Sequence, residues 1–261
     1  MISLQAAQNA EADWQRALAL ATGGKVFSTH GCDWAWQPAR RRLVLLFPSA
    51  ATEAGLRPGL AEGTRLGAQR VDALVNAAAA DRELQAAGFR DSAQLLWYVG
   101  SPHPTDLTSA ATGWQGRARV SLDVPEATGV DAAELRVASA WKEPHPASGR
   151  RPDAAARRIE HVTARRADRT LVGRGFAQFT VDGAISLHSL AVAAEARRQG
   201  VGQRMVAALV EALTAPVAVD AEPDASRPLP RVVAAGTPQS AAFFSACGLE
   251  HLGRGRRLRL A

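Results

Sequence analysis

The chain has 261 residues, of which 47% are hydrophobic, 21% charged and 5% aromatic. That balance suits one large or two small globular domains and excludes a collagen-like or wholly disordered chain. Lys plus Arg is 31 against 25 Asp plus Glu, a net charge of +6, which favours anionic ligands such as phosphates, nucleotide cofactors or nucleic acid without choosing among them.

Residues 4–22, Ala-rich with Leu4, Trp14, Leu18 and Leu20, read as one amphipathic helix ended by Gly23 and Gly24. Residues 25–27 and 33–37 read as extended, and 43–47, an apolar run closed by Pro48, as a buried strand. The pattern predicts a helix over 67–80, with Val71, Leu74 and Val75 on one face, a short helix running to Gly88, and a strand over 93–99. Residues 100–116 hold Pro102, Pro104 and many small polar residues and read as a linker, with a domain boundary near residue 113. The second half reads as a strand over 118–124, a helix over 131–141, a long loop over 142–156, and strands over 158–166 and 170–181. Asp182-Gly183 is a two-residue hairpin signal ahead of a strand over 185–192. Simple alternation there puts Ile185, Leu187 and Ser189 on one face and Ser186, His188, Leu190 and Val192 on the other. A helix over 201–214 repeats Met205, Leu209 and Leu213 on one side. A Pro-rich loop over 220–230, a strand over 231–235, a helix over 238–247 and a basic strand over 251–260 complete the chain.

No apolar run approaches the ~20 residues that span a bilayer. The N-terminus meets Glu11 and Asp13 before any basic residue, unlike a secretory signal. Two cysteines, Cys32 and Cys247, cannot build a disulfide framework or a four-thiolate metal site, so a reducing cytoplasm is expected. The six histidines show no H-x-x-x-H or Cys/His pairing, and no metal site is expected.

The informative segment is Arg197-Arg198-Gln199-Gly200-Val201-Gly202, between a strand and an amphipathic helix. A helix N-terminus carries unpaired N–H groups and a positive dipole end, and glycines let an anion approach it. Such a turn suits a phosphate or pyrophosphate, with Arg197 and Arg198 adding charge; an ordinary strand-to-helix turn with solvated arginines is the alternative. The pattern is neither a Walker loop nor a dinucleotide fingerprint.

The segment resembles motif A of the GNAT (GCN-related N-acetyltransferase) superfamily, Gln/Arg-x-x-Gly-x-Gly/Ala, here Arg197-x-x-Gly200-x-Gly202. Residues 189–192 resemble that family's central strand. Residues 237–249, TPQSAAFFSACGL, are similar to its Asn-x-x-Ala-x-x-Phe-Tyr-x-x-x-Gly-Phe, with Phe243, Phe244, Gly248 and Leu249 in register. The likeness runs over about residues 118–260. It implies a mixed α/β GNAT fold with a mainly antiparallel, splayed sheet, and acetyl-CoA-dependent transfer to a primary amine by direct attack. It places the pyrophosphate on the backbone of Arg198, Gln199, Gly200, Val201, Gly202 and Gln203, and the pantetheine along Leu190, Ala191 and Val192. Phe243 and Phe244 complete the donor site, and an acidic side chain at Gly202 is expected to intrude on the cradle. The family's usual acid, a tyrosine, falls on Phe244, and its frequent glutamate falls near Ser186; the only tyrosine, Tyr98, lies in the other half. His188, whose side chain titrates near neutral pH, and Ser189, which could orient a water, are therefore the candidate catalytic residues. A catalytically weak or inactive acyl-CoA-binding sensor or scaffold, an enzyme using a larger acyl group, and a nucleic-acid-associated modifier are the rival readings. No concentrated basic stripe or nucleic-acid motif is visible, because the arginines are scattered.

Residues 67–77 align with 202–212, and Ala87-Gly88-Phe89 echoes Cys247-Gly248-Leu249. The N-terminal half is therefore expected to be a degenerate GNAT-like domain (1–112) ahead of the acetyltransferase domain (113–261). It lacks the first glycine of the motif and is expected to bind CoA poorly while walling the acceptor cleft. The resemblance implies a small-molecule or peptide amine as the acceptor, and no membrane partner is expected. The aromatic residues Trp34, Trp36 and Trp97 line an acceptor pocket or fill a small core. Cys247 reads as a buried, inert thiol.

Overall fold

Residues 2–79, 81–109, 118–121, 159–180, 182–214 and 229–261 are described by a computed structural model. Helix α1 (Leu4–Ala21) is capped by Ser3, whose hydroxyl accepts from the Ala6 N–H. Strands β1 (Lys25–Thr29), β2 (Cys32–Gln37) and β3 (Arg42–Leu46) lead into helix α2 (Glu53–Arg65), strand β4 (Arg70–Asn76), helix α3 (Arg82–Ala86) and strand β5 (Phe89–Gly100). Helix α4 (Pro104–Ser109) and strand β6 (Ala118–Ser121) follow, then β7 (Ile159–Arg166), β8 (Leu171–Phe179) and β9 (Ile185–Val192). Helix α5 (Val201–Thr214), strand β10 (Val232–Gly236), helix α6 (Ala241–Ala246) and strand β11 (Glu250–Leu260) end the chain.

The described strands form one sheet in the order β1-β2-β3-β4-β11-β5-β10-β9-β8-β7-β6. Every pairing is antiparallel except β3 with β4 and β9 with β10. The succession β1-β2-β3-α2-β4-α3-β5 repeats as β7-β8-β9-α5-β10-α6-β11. Each half gives its last strand to the other: β11 pairs with β4, and β5 pairs with β10. β5 and β11 pair with each other along their whole length, from Val99 opposite Glu250 to Phe89 opposite Leu260, and form the central seam.

One sheet face carries two cores. Met205, Leu209, Val210 and Leu213 of α5 pack with Ile185, Leu187, Val232 and Phe244, while Leu56 of α2 packs with Trp34, Leu43, Leu45, Ala73 and Val75. Among the described residues the other face is covered by α1, which spans both halves. Its Ala12 and Ala19 meet Val44 and Leu74, and its Trp14 and Leu18 meet Ile159 and Phe176. At 1.5 Å per residue such a helix reaches about 27 Å, enough to bridge the seam.

Two expectations are corrected. Residues 70–76, expected within a helix, form β4, because Ala73 and Val75 pack on the α2 face while Leu74 packs on the α1 face. A strand apolar on both faces carries no clean two-residue period, so its run resembles a helical one. The helix of that half is α2, whose glycines and Pro58 argue against helix on propensity. Gly55, Gly59 and Gly63 recur every four residues. A Cβ there would meet Cys32 Sγ, the Trp34 indole and Leu43 Cδ2, so the glycine stripe lets α2 sit close on β2 and β3. The repeat therefore pairs α2, not residues 67–77, with α5. The glycines at 88 and 248 do correspond, with φ of 97° and 72°, each ending a short helix before the exchanged strand. The aromatic residues Trp34, Trp36 and Trp97 are buried core residues. The boundary near residue 113, the helix expected at 131–141, the loop at 142–156 and most of the loop at 220–230 lie outside the described residues.

Candidate functional site

β9 and β10 run parallel, but only Ile185, Ser186 and Leu187 have partners on β10. β9 then continues to Val192 along β8, while β10 continues to Gly236 along β5. The β10-facing edge of residues 188–192 is thus left without a strand partner among the described residues. The divergence begins at a bulge. His188 lies opposite Phe176 and Ala191 opposite Arg174, so β9 carries one extra residue there, and Ser189 takes φ of 50°. The extra residue reverses the alternation. Leu190 and Val192 pack with Ile185 and Leu187 on the α5 face, whereas His188 stays on the α1 face. The expected alternation through Ser189 is corrected accordingly. Gly175 on β8 accommodates the shift, since a Cβ there would strike the Leu190 side chain.

The strand leads into a turn with Arg198 at φ of 59° and Gly200 at φ of 74°. The backbone N–H groups of Arg198 to Gln203 donate to no backbone carbonyl among the described residues; the first N–H of α5 that does is Arg204, to Gly200, at 3.1 Å. A row of donors at a helix start attracts an anion. The side chains here are drawn aside. Arg197 Nε donates to the Val192 carbonyl (3.0 Å), Gln199 Nε2 to the Glu195 carbonyl and Gln203 Nε2 to the Ala246 carbonyl (both 2.9 Å). Gly202 is held by packing, because a Cβ there would lie 2.6 Å from Phe243 Cε2. A side chain at this position therefore runs into the Phe243 ring.

Ser189 and Ala191 are exposed at the open edge, and Leu190 and Val192 are half-buried. Phe244 is buried and stacks on Tyr98 of β5 with centroids 4.8 Å apart. The strand exchange thus brings the chain's only tyrosine against the second phenylalanine of the TPQSAAFFSACGL segment. Cys247 is fully buried, and burial pushes its thiol up to about 12. His188 is buried under α1. Its ring lies flat on Trp14, with centroids 4.5 Å and planes 6° apart, and Nδ1 is 3.3 Å from Glu11 Oε2. Sequence reasoning missed Glu11. Its signal was a polar row, Gln8, Glu11 and Gln15, at helical spacing on the side of α1 that also carries Trp14 and Leu18.

The equivalent place in the N-terminal half is closed. β3 and β4 stay paired from Arg42 opposite Arg70 to Leu46 opposite Leu74, and the Phe47 N–H still bonds the Leu74 carbonyl. The first turn of α2 is capped, with the Thr52 hydroxyl accepting from Gly55 N–H and the Thr52 carbonyl from Gly55 and Leu56 N–H.

Residues 133–227 match the Acetyltransferase (GNAT) family. Solved structures share the fold over nearly their whole length. A GCN5-related N-acetyltransferase from Kribbella flavida is 15% identical, covering 99% of this chain and 96% of that one, with a TM-score of 0.54. A functionally unknown conserved protein from Staphylococcus epidermidis ATCC 12228 is 12% identical, covering 92% and 94%, with a TM-score of 0.55. A tandem GNAT protein from the clavulanic acid biosynthesis pathway is 13% identical, covering 96% and 94%, with a TM-score of 0.51. No curated protein matches the sequence.

Proposed function

We propose, starting from the GNAT acetyltransferase domain that the chain carries at residues 133–227, that it moves an acetyl group from acetyl-CoA to a primary amine by direct attack. The observation that carries this reading is the open edge of β9 running into six amides that have no backbone acceptor among the described residues. An extended amide-bearing arm can lie along Leu190, Ala191 and Val192 as a strand would, and a pyrophosphate can sit on the amides of Arg198 to Gln203. Arg197 and Arg198 supply positive charge near that turn, and Phe243 holds the start of α5 against α6. The donor is bound once, in the half formed by 113–261. The half formed by 1–112 has a closed strand pair and a capped helix, and it serves as a wall for the acceptor side. Both cysteines are buried free thiols, in keeping with a cytoplasmic enzyme. No described helix is long and apolar enough to cross a membrane.

One observation favours a second reading. Phe244 has no hydroxyl to protonate a leaving sulfur and is buried against Tyr98, as in a protein that binds acyl-CoA without turning it over. Thiol release from acetyl-CoA, measured against a panel of small amines, amino acids, peptides with free N-termini and lysine peptides, separates the two. Release above the amine-free rate with any acceptor supports transfer. Binding without release across the panel leaves the sensor reading, and no binding overturns both.

A further inference from the structure

We propose that Arg42, Arg70, Arg257 and Arg259 form a binding site for a phosphate group on the α1 face of the N-terminal half, with Asp72 as the strut that holds it. The site is independent of the acyl-transfer reading, whose donor amides lie at the start of α5 on the other face.

Strand register brings the arginines together. On β4, Arg70 and Asp72 share a face with Leu74, which packs with Ala12 and Ala19 of α1. Arg42 of β3 stands opposite Arg70, and on β11 Arg257 stands opposite Leu74 and Arg259 opposite Asp72. On its other side Arg259 faces Arg90 of β5. Two arginine pairs thus confront each other directly across strands, an arrangement that costs stability. The carboxylate among them is Asp72, which accepts from Nε of Arg42 at 2.6 Å, of Arg70 at 2.7 Å and of Arg259 at 3.1 Å. Each of these bonds uses Nε, so the Nη groups of the three arginines have no acceptor among the described residues. Arg257 Nε is buried without a partner among the described residues.

The neighbouring acids are engaged elsewhere. Glu11 of α1 feels the charge of Arg42, but it lies 3.3 Å from His188 and accepts from Gln15. Asp81 and Asp91 pair with Arg256, which alternates to the other face of β11. Burial and the charges of Arg70 and Arg257 hold Arg42 lowered against the pull of Asp72. One carboxylate therefore stands against four arginines, and a network that served stability alone would pair its charges. The side chain of Arg42 is 9% exposed, that of Arg70 39% and that of Arg259 47%, so the cluster grades from a fixed, buried fork to reachable ones. A guanidinium presents paired N–H donors that match the oxygens of a phosphate. A phosphate monoester also brings about −1.5 to −2 charge at pH 7, more than one carboxylate supplies.

Titration of the full chain at low ionic strength with inorganic phosphate and with glycerol 3-phosphate tests the site, read by calorimetry and by the Nε–Hε signals of nitrogen-15 arginine. Saturable binding is expected. Arg257→Gln and Arg259→Gln each weaken it about 10–100-fold, and Arg257→Lys, which keeps the charge and loses the fork, falls between. Arg57→Gln, which removes an exposed arginine of α2 outside the cluster, leaves it unchanged, as does Gly202→Ala at the donor turn. Arg257 holds no carboxylate among the described residues, so Arg257→Gln carries the test if Arg259→Gln fails to fold. Tighter binding of the ester assigns the site to an organic phosphate, and equal binding assigns it to free phosphate. No saturable binding of either probe, equal weakening by Arg57→Gln and Arg257→Gln, or loss in Gly202→Ala alone overturns the site. Salt-sensitive binding of an RNA or DNA duplex with neither probe bound overturns it in favour of a nucleic-acid surface. Acetyl-CoA is absent from this titration, so its result stands apart from that of the donor site.

Discussion

Replacing Gly202 by alanine tests how the donor cradle is held. The new Cβ would lie 2.6 Å from Phe243 Cε2 and 3.2 Å from Cζ, where carbon atoms normally rest about 3.5–4.0 Å apart. The ring must retreat by roughly 1 Å, and such overpacking costs about 1–3 kcal/mol. Alanine's better helix propensity returns at most ~1 kcal/mol, so a net loss of about 1–2 kcal/mol is expected in urea denaturation. The displaced helix start also weakens acetyl-CoA binding, about tenfold for each 1.4 kcal/mol of lost interaction. Phe243→Leu removes the clashing ring atoms. The double variant should therefore be more stable than the sum of the two single losses by at least ~1 kcal/mol and should regain affinity. Additive losses, or a single variant as stable and as tight-binding as the wild type, would refute the account of the Gly202–Phe243 contact.

Other outcomes follow from the core. Asp72 is fully buried, with Arg42 Nε at 2.6 Å, Arg70 Nε at 2.7 Å and Arg259 Nε at 3.1 Å. Burial would raise its carboxyl, but the Arg42 charge and the Arg70 and Arg259 hydrogen bonds hold it lowered. A carboxyl lowered by folding stabilises above its unfolded value of about 3.9 and loses that contribution as pH falls through the lower folded value. Asp72→Asn should cost about 3–5 kcal/mol at neutral pH and flatten the acid limb of the melting curve; an unchanged limb speaks against the cluster. Cys32 and Cys247 are buried with raised thiols, so neither should react with a thiol reagent at about pH 8 until urea exposes both. Gly59→Ala drives a methyl into the Trp34 indole and should cost about 1–3 kcal/mol in chemical denaturation, whereas a neutral result would mean that α2 does not depend on close approach to β2.

What could be read in advance depended on how local the signal was. α1, the glycine turn, α5 and the paired phenylalanines announce themselves within a few residues, and the fold of the C-terminal half follows from their order. α2 was hidden because its glycines serve a contact with Trp34 that propensity does not record. The exchange of β5 and β11 was hidden because strand partners are long-range and both strands look alike in isolation. The bulge at Ser189 was invisible because serine is ordinary in strands, yet it decides which side chains face α5 and which face α1. Glu11 and Trp14 meet His188 across more than 170 positions of sequence, and only the fold brings them together.

The central claim is that one half binds the acyl donor at the parted strands and the other does not. Titrating the wild-type chain with acetyl-CoA by calorimetry tests it directly. The account predicts saturable binding of one donor per chain, weakened by Gly202→Ala and restored in the double variant with Phe243→Leu. Two donors per chain would contradict the closed state of β3 and β4, and no binding would contradict the donor site itself.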